Sequence, residues 1–280
     1  MQQISGAIKN RSGTELLYDI VFSADKANQP IFLFLHGFKA YRKWGFYPYL
    51  CEKVAQSGAI SIRFDFSHAG IVDGERLIYD SERFALNTVS QEVADAEDFI
   101  DAILRQELNL KFDLWNGNIV LCGHSRGAAV SLLVAMHTKS IEKLVLISPI
   151  SQFDRYSERQ KELWKKQGYV EFKLVHSQQK LRMNYTYLQD LLDNSEKYDL
   201  RKIISQIDKP IMIIHGKQDL TVSIKEAYEL AHFAPRKENL RFVAIEKAGH
   251  GFAAHHPFRN SNEMLDELVS ETIKFIHENE

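Results

Sequence analysis

Cysteine is nearly missing from this chain: Cys51 and Cys122 are the only two among 280 residues. That excludes the disulfide framework that staples small exported domains. Both thiols fall within apolar or helical patterns, which predicts buried, reduced side chains in a cytoplasmic setting. An excess of charge of one sign is equally lacking, because 35 Lys and Arg stand against 37 Asp and Glu. With no basic stripe interleaved with aromatics, no nucleic-acid partner is expected. No apolar run approaches the length that spans a bilayer, and residues 1–10 lack a charged stretch followed by an apolar one. A soluble protein without membrane partner or export signal is the expectation. No internal repeat or low-complexity stretch occurs. His250, His255 and His256 are close together, but no His-Glu-x-x-His helix or paired cysteines accompany them, so neither a metal nor another cofactor is expected.

What is present is enough apolar content, 45% of the chain, to bury a sizeable core. Residues 14–22 alternate, with Leu16, Tyr18, Ile20 and Phe22 on one face, as in a half-buried strand near a sheet edge, and residues 4–9 are expected to pair with it antiparallel. Short continuous apolar runs follow at 31–35, 59–64, 119–122, 144–147, 211–214 and 242–245. Runs of this kind suit parallel strands covered on both faces. Helical patterns alternate with them, at 47–56, at 89–108 with Val89, Val93, Ala96, Ile100 and Ile103 on one stripe, and at 128–137. Ser223 and Glu226 have capping-box spacing at the start of a further helix, and 264–276 reads as the last. The fold class predicted is α/β, with a mostly parallel central sheet flanked by helices.

Residues 151–206 break this rhythm. They show no convincing buried strand, are dense in charge, and still carry Trp164, Phe172, Tyr187 and other aromatics. This predicts a helical lid inserted between two parts of one core, 1–150 and 207–280. Most of its aromatics are expected to form the lid's own interior, with two or three facing a pocket. The acidic cluster Glu92, Asp95, Glu97, Asp98 and Asp101 is read as a solvated helix face.

Gly123-His124-Ser125-Arg126-Gly127 lies between the apolar run 119–122 and a helical segment. A serine on so sharp a strand-to-helix turn has its hydroxyl pushed outward, and the flanking glycines are needed because the turn forces their backbones together. A serine hydroxyl is a weak nucleophile at neutral pH and requires a base, itself oriented by a third group. Asp219 follows the run 211–214 and His250 follows the run 242–245, which places both just beyond the carboxyl ends of strands, where open α/β sheets bind ligands. Ser125 is therefore the expected nucleophile, His250 the base and Asp219 its orienting carboxylate. The backbone N–H groups of Phe38, in His36-Gly37-Phe38, and of Arg126 are the expected oxyanion donors. His36 is read as a residue that holds its loop by hydrogen bonding, and His124 as a structural neighbour of the elbow.

These motifs, together with Trp44-Gly45-Phe46 and Arg63-Phe64-Asp65-Phe66-Ser67-His68, resemble the α/β-hydrolase superfamily. Within it the chain is similar to bacterial carboxylesterases of the cinnamoyl and feruloyl esterase and serine-aminopeptidase-like group, although Ala128 stands where those esterases usually carry a second glycine. The resemblance implies a serine hydrolase that cleaves a small-molecule carboxylic ester through an acyl-enzyme without a cofactor. A thioesterase, an amidase or peptidase using the same triad, and a non-catalytic small-molecule receptor on the same scaffold are the alternatives.

Overall fold

Runs made mainly of Ile, Val, Leu and Phe have little face to offer water, so they pair side by side and are covered above and below. In the computed structural model, which describes residues 1–74, 78–174, 179–235 and 238–278, they build one eight-stranded sheet. The chain begins with β1 (Gln2–Lys9), β2 (Glu15–Phe22) and β3 (Gln29–Leu35), followed by α1 (Tyr47–Ser57) and β4 (Ile60–Phe64). A small hairpin, β5 (Ile71–Asp73) and β6 (Ile78–Tyr79), leads to α2 (Ser81–Ala85) and α3 (Val89–Leu104). Then come β7 (Trp115–His124), α4 (Arg126–Ala135) and β8 (Ile141–Ile147). After an excursion the core resumes with β11 (Ile211–Gly216), α8 (Ile224–Phe233), β12 (Leu240–Ile245) and α9 (Glu263–His277). The excursion holds α5 (Glu158–Gln167), β9 (Tyr169–Lys173), β10 (Lys180–Asn184), α6 (Tyr185–Asp193) and α7 (Leu200–Ile204).

The strand order is β1-β2-β4-β3-β7-β8-β11-β12. β1 and β2 pair antiparallel, as do β2 and β4, and every later neighbour is parallel. The sheet separates two apolar layers. One contains Leu33, Leu121 and Leu146 with Phe99 of α3 and the whole of α4; the other contains Phe34, Cys122 and Val145 with α1 and α9. Both cysteines are buried and unpaired. Among the described residues, no helix is long and apolar enough to cross a membrane.

Two expectations need correction. Residues 151–206 are not wholly helical, because β9 and β10 form an antiparallel hairpin within them; the described part excludes 175–178. Its strands show a partly buried, alternating pattern rather than a continuous apolar run, which is why it escapes a search for core strands. The interior of the segment is aromatic as expected. Trp164 is fully buried, stacks on Tyr187 at 5.9 Å, meets Tyr156 edge-on at 5.0 Å, and donates its indole N–H to the Met183 carbonyl at 3.2 Å.

The acidic cluster on α3 is not a uniformly solvated face either. Asp95 is fully buried and accepts hydrogen bonds from the Asn10 amide, the Ser67 N–H and the Gln91 amide. Glu92 is buried beside Asn87 and pairs with the buried Arg126 guanidinium. Glu97 and Asp98 bind Arg11 at the surface. A helix can place carboxylates on its inner face only where cations and amides meet them, and that complement lies far away in sequence. At α8 the Ser223 hydroxyl caps the Lys225 N–H, but Glu226 turns away to the Ser151 N–H and Arg155, so the capping box is incomplete.

Candidate active site

Ser125 stands between β7 and α4 with φ 56° and ψ −119°, a positive-φ conformation that a non-glycine residue adopts only where its surroundings compel it. Its own N–H is tied to the Ile147 carbonyl of β8 at 2.8 Å. The tightness of the turn explains both flanking glycines. A Cβ on Gly123 would lie 2.3 Å from the Gly127 carbonyl oxygen, and one on Gly127 would lie 2.4 Å from that of Leu35. The elbow is thus wedged against the end of β3, the strand that delivers Gly37 and Phe38.

Asp219 follows β11 and His250 follows β12. The two meet: His250 Nδ1 is 2.7 Å from Asp219 Oδ2. The carboxylate is buried and saturated, since Oδ1 accepts the Thr221 and Val222 N–H groups at 2.8 and 2.9 Å. Burial alone would raise its pKa. Hydrogen bonds from His215, His250 and the Val222 N–H outweigh that effect and hold Asp219 well below the usual carboxylate range. His250 and Ser125 line one cavity of about 250 Å3. The N–H groups of Phe38 and Arg126 open the loop after β3 and the first turn of α4, and neither has a hydrogen-bond acceptor among the described residues.

In the loop carrying His250, Gly249 and Gly251 flank the histidine, but steric contact does not require either. Cβ atoms on Gly249 and Gly251 would meet nothing closer than 3.9 Å. The close approach falls instead on Gly216, where a Cβ would lie 2.3 Å from the Ala248 carbonyl oxygen, and the positive φ values fall on Lys247, Phe252 and Ala253.

His36 and His124 act as cross-braces. His36 Nδ1 donates to the Gly37 carbonyl at 2.9 Å and Nε2 accepts the Phe66 N–H at 3.2 Å. His124 Nε2 donates to the His250 carbonyl at 3.0 Å, so Nδ1 is left to accept the Tyr47 hydroxyl at 2.9 Å. Both rings are buried and held in the neutral form. Burial lowers His36 to about 4 and His124 to about 3, in the second case with help from the neighbouring His250. In the unfolded chain each ring takes up its proton near the ordinary histidine value of about 6.5, so between that pH and the folded value the unfolded state binds more protons. Stability is therefore expected to be complete above that value and to fall as pH drops toward 4, at about 1.4 kcal/mol per pH unit for each ring. Urea unfolding at stepped pH measures this. A midpoint flat from pH 7 to pH 4.5 would contradict the neutral, buried assignment.

Three features of the site are invisible in the linear pattern. His215, the penultimate residue of β11, is fully buried; its Nε2 donates to the Val222 carbonyl at 2.9 Å and lies 3.2 Å from Asp219 Oδ2. The Arg126 side chain runs back under the site, paired with Glu92 and set 4.3 Å over the Phe38 ring, so the two candidate oxyanion residues touch each other. The cavity's aromatic wall is the third. It comes from Phe38, Trp44, Tyr47 and Tyr79 of the core, and not from the aromatics of 151–206 as expected. From that segment Leu174 lines the cavity, while Phe172 packs edge-on against Phe38 at 5.4 Å. Tyr79 lies on β6, and Gln179 of the segment hydrogen-bonds both its N–H and its carbonyl. The short hairpin offers too few residues for periodicity to reveal it. Among the described residues, no group of three or more His, Cys, Asp or Glu is placed to hold a metal ion.

A mostly parallel sheet with helices on both faces, a strand-to-helix elbow, and chain order Ser, Asp, His at the carboxyl ends of β7, β11 and β12 define an α/β-hydrolase. More narrowly, the chain belongs to the hydrolase family described as serine aminopeptidase, S33, which it matches over residues 26–202. The match ends before Asp219 and His250. A Mycoplasma genitalium protein whose name proposes an esterase/lipase is 25% identical over 277 residues, covering 85% of this chain and 89% of its own length. Among solved structures, Est1E from Butyrivibrio proteoclasticus with ferulic acid bound is similar with a TM-score of 0.69 and 20% identity, over 96% of this chain and 97% of that one. A hydrolase from Agrobacterium vitis S4 is similar with a TM-score of 0.74 and 16% identity, over 99% and 100% of the two chains. At such identities the structural likeness speaks for the fold.

Proposed function

We propose that this chain is a serine hydrolase that cleaves a carboxylic ester of a small molecule, with Ser125 as nucleophile, His250 as base and Asp219 as the carboxylate that orients the base. One observation carries the reading. Ser125, on a strained turn, shares a cavity wall with His250, whose Nδ1 is held 2.7 Å from a buried, fully hydrogen-bonded carboxylate. With Asp219 ionised, Nδ1 carries the proton and Nε2 is free to accept one. In the first step Ser125 Oγ bonds to the ester carbonyl carbon and its proton passes to His250 Nε2. The oxyanion is stabilised by the Phe38 and Arg126 N–H groups. As the tetrahedral adduct collapses, the C–O bond to the leaving group breaks and His250 returns its proton to the departing alcohol. Water then attacks the acyl-serine by the same steps, releasing the acid.

The ester reading is favoured over the aminopeptidase activity in the family's description by the composition of the cavity. Among the described residues its lining includes no Asp or Glu, and recognition of a free α-ammonium calls for a carboxylate. The ferulate complex of Est1E and the esterase/lipase name of the Mycoplasma protein agree with the choice. Residues 151–206 are proposed to act as a lid, with Leu174 and Phe172 as their contribution beside the cavity.

Labelling by a fluorophosphonate probe tests the nucleophile, and parallel assays on an ester and the matching amide test the bond. Asp219→Asn is expected to keep the fold but lower kcat by about 10^4-fold, because the amide stabilises the wrong histidine tautomer and no developing charge. Should Asp219→Asn retain a tenth of the wild-type rate, the role given to Asp219 is wrong.

A further inference from the structure

Among the described residues Lys39 is the cation that lines the cavity, and no group in the proposed triad or oxyanion hole uses it. It follows Phe38 directly, is half-buried, and has φ 58°, a left-handed conformation uncommon for lysine. Its backbone carbonyl is held by the Tyr79 hydroxyl at 2.9 Å. Its ammonium lies 5.5 Å from the Phe38 ring centre and 5.7 Å from that of Phe172. Ring faces attract a cation, but they accept none of its three N–H bonds in the ordinary sense. Among the described residues the Lys39 ammonium has no carboxylate partner and no hydrogen-bond acceptor.

Among the described residues, the other titratable side chains that line the cavity are already engaged. Tyr47 donates to His124, Tyr79 to the Lys39 carbonyl, and His250 holds Asp219. The nearby Arg126 guanidinium, 4.3 Å from the centre of the Phe38 ring, is neutralised by Glu92. What remains among the described residues is one ammonium in an aromatic and aliphatic chamber, partly stripped of water, its pKa lowered by that burial with no acidic neighbour among those residues to offset it. An uncompensated cation in such a place is costly unless an anion joins it.

The geometry points to a substrate that carries a carboxylate: Lys39 is a specificity-determining residue that pairs with an anionic group on the same small molecule whose ester bond meets Ser125. This rests on the serine-hydrolase reading and names its substrate class. The apolar walls take the body of the molecule, and the cavity of about 250 Å3 keeps ester and anion a few bonds apart. A monoester of a dicarboxylic acid and an ester of a hydroxy-acid have the same chemistry, with the anion on the acyl or the leaving side.

The test compares anionic esters with neutral ones of the same shape. The acyl arm sets 4-nitrophenyl hydrogen adipate against 4-nitrophenyl 6-methylheptanoate; the leaving-group arm sets 4-acetoxybenzoate against 4-isopropylphenyl acetate. Within each arm the ratio of kcat/KM is read for wild type, Lys39→Met and Lys39→Arg, so that any common effect on the chemistry cancels. In one arm the anionic-to-neutral ratio is expected to fall about 10-fold or more in Lys39→Met, the scale of one charge-assisted hydrogen bond, and to recover in Lys39→Arg. A ratio unchanged by Lys39→Met in both arms overturns the assignment while leaving the hydrolase intact. Calorimetric binding of ethyl hydrogen adipate, ethyl 6-methylheptanoate and 4-acetoxybenzoate to Ser125→Ala, with and without Lys39→Met, reads the cavity without turnover. If wild type hydrolyses no ester, the mechanism has failed, and the binding preference still decides the role of Lys39: one abolished by Lys39→Met upholds it, and none at all overturns it.

Discussion

Ser125→Ala is expected to lower ester turnover by about 10^4-fold or more and to abolish fluorophosphonate labelling, while thermal unfolding stays within about a degree or two of wild type. The size follows from the division of labour at the site. In the proposed mechanism the Phe38 and Arg126 N–H groups and the cavity stabilise a transition state, but without Oγ there is no atom on the protein for the acyl group to occupy. The fold is indifferent to the change because the turn is held by backbone contacts, the Ser125 N–H to Ile147 and the Ala128 N–H to the Ser125 carbonyl at 3.1 Å, both of which alanine retains. Single-turnover assays on a chromogenic ester with each protein measure the loss. A residual rate of even one part in a hundred places the nucleophile elsewhere.

Gly127→Ala should produce the largest combined effect, on stability as well as rate. The added methyl carbon would sit 2.4 Å from the Leu35 carbonyl oxygen and 2.5 Å from that of His36, distances at which backbone must move. Overpacking of a close-packed site costs about 1–3 kcal/mol, and a clash against strand backbone belongs at the upper end. The displaced atoms are those of β3 and the turn that leads to Phe38, so one donor of the proposed oxyanion hole is carried off target. A misplacement of about 1 Å is enough to cost roughly 100-fold. Urea unfolding and kcat measured together test the linkage. A variant that is destabilised yet fully active would show that the loop after β3 moves independently of the reacting centre.

Much of the architecture is readable in the chain itself, because the central strands are continuous apolar runs and a buried parallel strand has no other way to be written. β3, β4, β7, β8, β11 and β12 fall where those runs lie, and Ser125, Asp219 and His250 follow three of them. Capture of those three side chains at one rim follows from parallel pairing, since parallel strands share a carboxyl end. The misses have a common physical origin. Glu92 and Asp95 look solvated because their neutralising partners, Arg126 and the Asn10 amide, lie 34 and 85 residues away. The β9–β10 hairpin and β6 are short and only partly buried, so they lack the burial that imprints a period. Gly249 and Gly251 attract attention beside a histidine, while the glycine that steric contact demands, Gly216, sits on the neighbouring strand. Lys39 has no motif at all, and its isolation from the carboxylates of the described residues is a property of three-dimensional packing.

The strand order separates β7 from β11 by β8 alone. Two strand spacings amount to about 10 Å, farther than an aspartate can bridge to a serine, so the imidazole has to arrive from the next strand outward and lean back across the gap. β8 therefore works as a spacer of set width, keeping acid and alcohol from direct contact, and the Ser125 N–H bond to Ile147 and the Ser148 N–H bond to Ile214 at 2.8 Å fasten it on both sides. The polypeptide leaves the core immediately beyond that spacer to form residues 151–206. The appendage can thus be lengthened, shortened or refolded without moving the rungs that set the distance between the reacting groups, so selectivity and reactivity are free to change separately.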